Sequence, residues 1–311
     1  DEEEAEFEEL CEQVASSPLL LDVVVSEEVG RLAGDCQDFF LFEESIRAML
    51  LALLRDTRVA SRLAAPPLTA LHAASAVQAV PVPPPRPLGA CRTATTTGAA
   101  GADSGGGGGD VMAANGGGGG SSSSTVRQTA AATSHWSLSY YPPSGVLPYR
   151  GLSLLAAPLC YLYDNPASSY RLFRAMYCRY WCKLHSLSTS PPPTCPALPG
   201  LLRVFEEIMQ ALDPLLLRHL QRLGLLPGAL VAPWMCSGFA GALPVQEVLL
   251  LWDRIIGLDS LLPLPLLAAA VLCFRRPVLL SCGSPREVMA ALGDISQLGA
   301  VPLMQAVLFP G

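Results

Sequence analysis

The stretch W-M-C-S-G-F-A-G-A-L-P-V-Q-E-V-L-L-L-W-D-R-I-I-G, from Trp234 to Gly257, decides how the rest of the chain is read. Trp234, Met235 and Phe239 recur at helical spacing and can share one buried face. Gly241 and Pro244 then interrupt the pattern, glycine by freeing the backbone and proline by suiting a first helical turn. Beyond them, Val248, Leu249, Leu251, Trp252, Ile255 and Ile256 are more apolar than a surface helix needs, so the pattern predicts a helix central to a helical core. Asp253 and Arg254 put charge into that helix. Adjacent residues cannot face each other, so the aspartate is expected to find a structural partner on another helix.

Outward from this stretch, helical periodicity continues and no β-alternation of useful length appears, which predicts an all-α fold. Glu2 to Val14 reads as an acidic helix with Phe7, Leu10 and Val14 on one side. A short helix over Leu19 to Val25 follows, then one over Phe42 to Arg55 with the stripe Ile46, Met49, Leu50, Leu53 and Leu54. From residue 60 to 139 the chain turns Ala/Pro-rich and then Gly/Ser-rich, a composition that cannot offset its ordering entropy by burial. A disordered insertion is expected there, dividing one helical domain into residues 1–59 and 140–311. Helical segments resume at Leu152–Tyr163, Tyr170–Leu184, Leu201–Leu212, Pro214–Leu223, Leu261–Arg275 and Pro285–Leu292, with a proline-rich loop at Ser190–Pro199 and an apolar tail from Val301 to Phe309.

With 311 residues, half of them hydrophobic, the chain can bury a sizeable core. A formal net charge of −7 argues against nucleic acid or an anionic membrane as its main partner. The most apolar run, Leu258 to Phe274, is interrupted by Asp259, Pro263 and Pro265, so it predicts a buried helix and no membrane insertion. Ten cysteines lie scattered without paired spacing, as expected of reduced thiols packed as small hydrophobes in the cytosol. The acidic opening is unlike a signal or transit peptide, and a first residue of Asp rather than Met is what an N-terminally incomplete sequence would show.

A second informative stretch is Tyr141-Pro142-Pro143-Ser144-Gly145-Val146-Leu147-Pro148-Tyr149-Arg150-Gly151, running on to Ala156-Ala157-Pro158-Leu159. Together with Trp234, Phe239, Leu243-Pro244 and Trp252-Asp253-Arg254, it resembles the TBC domain, the GTPase-activating domain that acts on Rab proteins. The resemblance covers about Leu10 to Arg58 and Tyr140 to Phe309. It implies a multi-helix TBC-type fold, a Rab-family small GTPase as partner, a role in vesicle traffic, and a cytoplasmic protein recruited to endomembranes through a Rab. It implies no cofactor of the chain's own, because GTP and Mg²⁺ arrive on the GTPase.

In that family an arginine finger comes from an Ile-x-x-Asp-x-x-Arg pattern and a glutamine finger from a Tyr-x-Gln-Gly turn. An arginine finger is worth roughly 10³ to 10⁵ in rate, so its presence separates activator from binder. The first pattern falls on Leu19-x-x-Asp22-x-x-Val25, and the second on Pro148-Tyr149-Arg150-Gly151. Valine carries no charge, and arginine has donors but no acceptor with which to orient water as an amide does. By the resemblance, Asp22, Val25, Tyr149, Arg150 and Gly151 form the GTPase-binding surface. Arg150 is the candidate catalytic residue, or else a solvated turn arginine. Arg31 and Arg58 are present nearby in sequence but lack the family's spacing. The expectation is weak or absent activation, which leaves an Arg150-dependent activator, a noncatalytic Rab-binding scaffold and a helical adaptor as the three readings.

Other constellations carry less. Cys178, Cys182 and His185 share a helical face, but Cys-x₃-Cys within a helix is not a structural zinc spacing, so packing is expected and no metal. His219, beside Arg218 and Arg222, reads as a surface histidine. The glycines between Gly105 and Gly120 lack the Lys-Ser/Thr of a phosphate loop, so the chain has no predicted nucleotide site of its own.

Overall fold

The computed structural model describes residues 2–63, 142–185 and 197–309. The expected disordered insertion beyond residue 63 and most of the proline-rich loop lie outside the described residues. Within them the fold is all-α, and the only β-type pairing is an isolated bridge between Ala240 and Leu243. None of the described helices is long and apolar enough to cross a membrane.

The N-terminal part comprises α1 (Glu2–Ser16), α2 (Leu21–Asp35), a 3₁₀ segment (Gln37–Phe42), α3 (Glu43–Arg55) and α4 (Thr57–Arg62). Helix α3 is its hub. Ile46, Met49, Leu50, Ala52, Leu53 and Leu54 are all buried, and α1, α2, α5 (Leu152–Ala156) and α6 (Pro166–Met176) pack around it. Helix α2 runs ten residues past the expected Val25, because Val25, Val29 and Leu32 continue one buried stripe. Its glycines, Gly30 and Gly34, face open space, where they cost helix propensity but no packing. Helix α4 carries the helical part to Arg62, past the expected boundary, because the Asp56 side chain caps it by accepting from the Arg58 N–H at 2.9 Å. The Ser144 N–H donates to the Leu54 carbonyl at 3.1 Å, tying the returning chain to α3.

Two expected helices are each interrupted. Leu152–Tyr163 is α-helical only to Ala156 and then 3₁₀ over Ala157–Tyr161, where Pro158 has no N–H to continue the ladder. In the Tyr170–Leu184 region, α6 passes into a π turn at Tyr177–Trp181.

The C-terminal part comprises α7 (Leu198–Leu212), α8 (Pro214–Arg222), α9 (Pro227–Cys236), α10 (Val245–Gly257), α11 (Pro263–Phe274), α12 (Arg276–Ser281), α13 (Pro285–Leu292) and α14 (Ala300–Leu308). Its hub is α11, packed against α7, α9 and α14. As expected from its composition α11 is buried, and its prolines sit in the first turn, where no N–H is needed. Helix α10 corrects the expectation of a central helix. Val248, Leu251, Trp252 and Ile255 are buried, while Leu250 and Ile256 are exposed together with Asp253 and Arg254. The aspartate sits on the solvent face and makes no ion pair among the described residues, so the partner expected on another helix is not there. Trp252 and Trp181, with ring centroids 5.0 Å apart, join this part to the π turn after α6, which itself packs on α3.

Candidate functional site

The first family pattern lies where α1 turns into α2. Asp22 accepts from the Leu19 N–H at 2.9 Å and takes both arms of the Arg55 guanidinium, at 2.9 and 2.7 Å. Arg55 is only 3% exposed and also donates to the Ser17 carbonyl at 2.8 Å. Asp22 therefore pins the α1–α2 turn to α3. Three residues on, Val25 is 1% exposed. Val25 itself is therefore not part of an exposed surface, since an aliphatic side chain on the buried stripe of α2 goes into the core, although its neighbours Val23 and Val24 are exposed.

The second pattern is a turn held from below. Gly151 has φ +97°, a left-handed conformation that glycine adopts without a Cβ penalty. Its N–H donates to Glu28 Oε1 at 2.6 Å, and Ser153 Oγ donates to the same oxygen at 3.0 Å. The second Glu28 oxygen pairs with Arg31 one turn along α2. Tyr149 points inward, with its ring stacked on His185 at a centroid distance of 3.7 Å. Its hydroxyl is buried without a hydrogen-bond partner among the described residues, and burial pushes its pKa well above the ordinary tyrosine value. His185 Nε2 lies 3.2 Å from the Cys236 carbonyl, which can only accept, so the proton sits on Nε2. Burial pulls the imidazole pKa down to about 4 against the opposing effect of that hydrogen bond, leaving the ring neutral at pH 7. Tyr149 is thus an anchor. Between these fixed neighbours Arg150 is exposed and makes no hydrogen bond or ion pair among the described residues.

The late signature supplies the opposite wall. Helix α9 ends at Cys236 and the chain reverses through Gly238 and Phe239, both left-handed at φ +57° and +65°. The Phe239 N–H donates to the Trp234 carbonyl at 2.7 Å, and Trp252 Nε1–H donates to the Gly238 carbonyl at 2.9 Å. Phe239 and Trp252 are fully buried, while Trp234 is half-buried against Phe239 at 6.0 Å. Pro244 precedes the first turn of α10.

These pieces enclose an open cleft of about 580 Å³. Its walls come from α2 (Glu28, Arg31, Asp35), the Arg150–Gly151 turn, the end of α9 (Trp234, Ser237) and the Gly293–Ser296 loop. Arg150 and Arg31 therefore face one space although they are far apart in sequence. Arg58 does not line it, being paired with Glu6 of α1.

Glu28 and His185 matter to this site in ways the sequence reading missed. Glu28 falls beside Val25, Val29 and Leu32 on the buried stripe, and a carboxylate in an apolar stripe needs a partner, which is the signal that could have found it. The Cys178–Cys182–His185 group is a packing cluster, and no three such side chains among the described residues converge as metal ligands. His219 is half-buried and meets the Cys282 carbonyl at 3.1 Å rather than lying on the surface.

Residues 149–280 match the family model of the Rab-GTPase-TBC domain. The human protein TBC1 domain family member 19 is 30% identical over 307 residues, covering 97% of this chain and 47% of the relative. TBC domain-containing protein kinase-like protein is 28% identical over 132 residues in Dictyostelium discoideum, covering 42% of this chain and 12% of that protein. Its human counterpart is 28% identical over 151 residues, with 48% and 16% covered. The chain thus spans about half the length of the first relative and less of the others. No solved structure matches.

Proposed function

We propose that this chain, whose residues 149–280 match the Rab-GTPase-TBC domain, acts as a member of that family, binding a GTP-loaded Rab-family GTPase at the Arg150 cleft and regulating it without the family's two-finger chemistry. GTP and Mg²⁺ arrive on the partner, and this chain contributes a shaped surface and the guanidinium of Arg150, which has no ion-pair partner among the described residues. GTP hydrolysis needs charge neutralised on the transferring phosphoryl group and a water oriented for in-line attack. A guanidinium stays charged and matches phosphate oxygens with two parallel donors, so Arg150 can serve the first need. It cannot serve the second, because it accepts no hydrogen bond. Water orientation is left to the GTPase.

The observation that carries this reading is a contrast between the two motif positions. Val25, which the resemblance sets at the family's arginine position, is 1% exposed, whereas Arg150, which it sets at the glutamine position, stands exposed on the cleft wall. The test is single-turnover GTP hydrolysis and GTP-dependent binding across a Rab panel, comparing the wild-type chain with Arg150→Ala. We expect GTP-dependent binding to at least one Rab, lost or reduced in Arg150→Ala, with acceleration well below the roughly 10³-fold floor of an arginine finger. Acceleration above that floor that survives Arg150→Ala would move the cationic role to Arg31. Absence of GTP-dependent binding throughout would leave the helical adaptor reading.

A further inference from the structure

We infer that Glu28 is a positioning residue: it holds the Arg150 turn against α2 and so sets where Arg150 stands on the wall of the cleft. The consequence for a partner rests on the reading of Arg150 given above, but the positioning itself does not. Glu28 is 8% exposed, and both of its carboxylate oxygens are engaged. One accepts from the Gly151 N–H at 2.6 Å and from Ser153 Oγ at 3.0 Å, across 123 and 125 residues of sequence. The other pairs with Arg31, whose side chain is 38% exposed on the same cleft.

The turn's own backbone bonds, from the Leu152 N–H to the Tyr149 carbonyl and from the Leu154 N–H to the Gly151 carbonyl, both at 3.2 Å, close it locally, and Glu28 is the side chain that ties it to α2. Tyr149 fixes its N-terminal side by stacking on His185, but Gly151 has no side chain and Arg150 makes no bond of its own among the described residues. The local bonds fix the shape of the turn but not its placement, and the hydrogen bond from the Gly151 N–H to Glu28 fixes that turn, and Arg150 with it, against α2. A charged acceptor for a backbone N–H is among the stronger hydrogen bonds a turn can have. Preorganised donors are worth more to a transition state or a charged ligand than mobile ones, because no ordering remains to be done on binding. Arg31, held by the second oxygen, is kept on the same wall by the same side chain.

A merely structural carboxylate would give the same buried bonds, so the test separates the two. Glu28→Gln keeps an amide oxygen for Gly151 and Ser153 but turns an amide NH₂ toward Arg31. Glu28→Ala removes both functions. Asp213→Ala is the control: Asp213 accepts from the Leu216 N–H at 3.0 Å, pairs with Arg276 and does not line the cleft.

Amide hydrogen exchange on the full chain, without partner, reads the turn directly. We expect exchange at Gly151 to rise on the order of tenfold to a hundredfold in Glu28→Ala, with Glu28→Gln near wild type and Asp213→Ala unchanged at this turn. If Glu28→Ala does not fold, Glu28→Asp, one methylene shorter, supplies the same comparison. On the Rab that binds best, Glu28→Ala should weaken GTP-dependent binding by about tenfold and Glu28→Gln should restore it. Unchanged exchange at Gly151 in Glu28→Ala, or an equal rise in Asp213→Ala, overturns the inference. The expected exchange pattern with no Rab bound by the wild type upholds the positioning role and overturns the partner reading instead.

Discussion

Gly238 sits where two indoles meet, and its position shows how narrowly the signature residues are specified. Its φ is +57°, and a Cβ there would lie 2.9 Å from Trp252 Nε1 and 3.4 Å from Trp181 Cη2. Gly224 has a similar φ of +76° but nothing within 4 Å of a built Cβ. Gly224→Ala should therefore cost only the left-handed penalty, about 1–2 kcal/mol, as read from the urea midpoint. Gly238→Ala should add overpacking of about 1–3 kcal/mol to that same penalty. Equal costs at the two sites would mean that the indoles yield. Val25 yields a second prediction at this scale. Val25→Arg puts the arginine that the resemblance expects there at a position that is 1% exposed, so the charge would enter the core rather than the cleft. It should lower stability by several kcal/mol, on the order of the cost of an unpaired buried charge, and should not raise Rab GTP hydrolysis. A stable Val25→Arg protein that accelerates hydrolysis would contradict the burial.

At the scale of elements, α1, the α3–α4 junction and α6 are joined by one charge cluster. Asp56 accepts from Tyr170 Oη at 2.8 Å and from Arg174 at 2.9 Å, while Glu6 pairs with both Arg174 and Arg58. Burial raises the pKa of each carboxylate, but the hydrogen bonds from the cations, and from Tyr170 on Asp56, outweigh it and leave both lowered. A lowered folded pKa means stability that is fully present above the unfolded value, near 4, and lost as the pH falls through the folded value. His185 acts in a higher window. Its folded pKa of about 4 lies below the ordinary 6.5, so the unfolded chain binds the extra proton first. Stability should therefore fall as the pH drops from about 6.5 toward 4, by roughly 3 kcal/mol in total. Thermal melts from pH 7 to 3 should show two successive losses, with His185→Phe flattening the upper and Asp56→Asn the lower. A single loss below pH 4 in the wild type would refute the assignment to His185.

Much at this scale was readable in the sequence: the stripe of α3, the proline-started α11 and the punctuation before α10 all depend on local periodicity. Where α10 would lie was not, since its apolar content fits a central helix as well as one with an apolar outer edge. The continuation of α2 past Val25 was likewise missed; Gly30 and Gly34 lie along it in open surroundings, where they lower helix propensity without a packing cost.

Across the whole molecule, the two helical parts are bridged by the segment between them: 3₁₀ residues 157–161 touch both α3 and α10, and Trp181 packs on Trp252. Trp252→Leu removes the indole donor to Gly238 and part of that seam, so exchange protection should fall in both α3 and α11. Loss confined to α11 would show that the parts unfold separately. The proposed regulatory cleft belongs to this scale too, since its walls come from α2, the Arg150 turn, the end of α9 and the Gly293–Ser296 loop. Sequence alone determined that the chain is helical and that its most apolar run is a buried helix, because periodicity and composition are local properties. Only the tertiary structure decided that Val25 is in the core, that Asp22 belongs to Arg55, that Asp253 faces solvent and that Glu28 holds the Arg150 turn. Each of these depends on which distant side chain fills the neighbouring volume or supplies the opposite charge, and no local pattern carries that information.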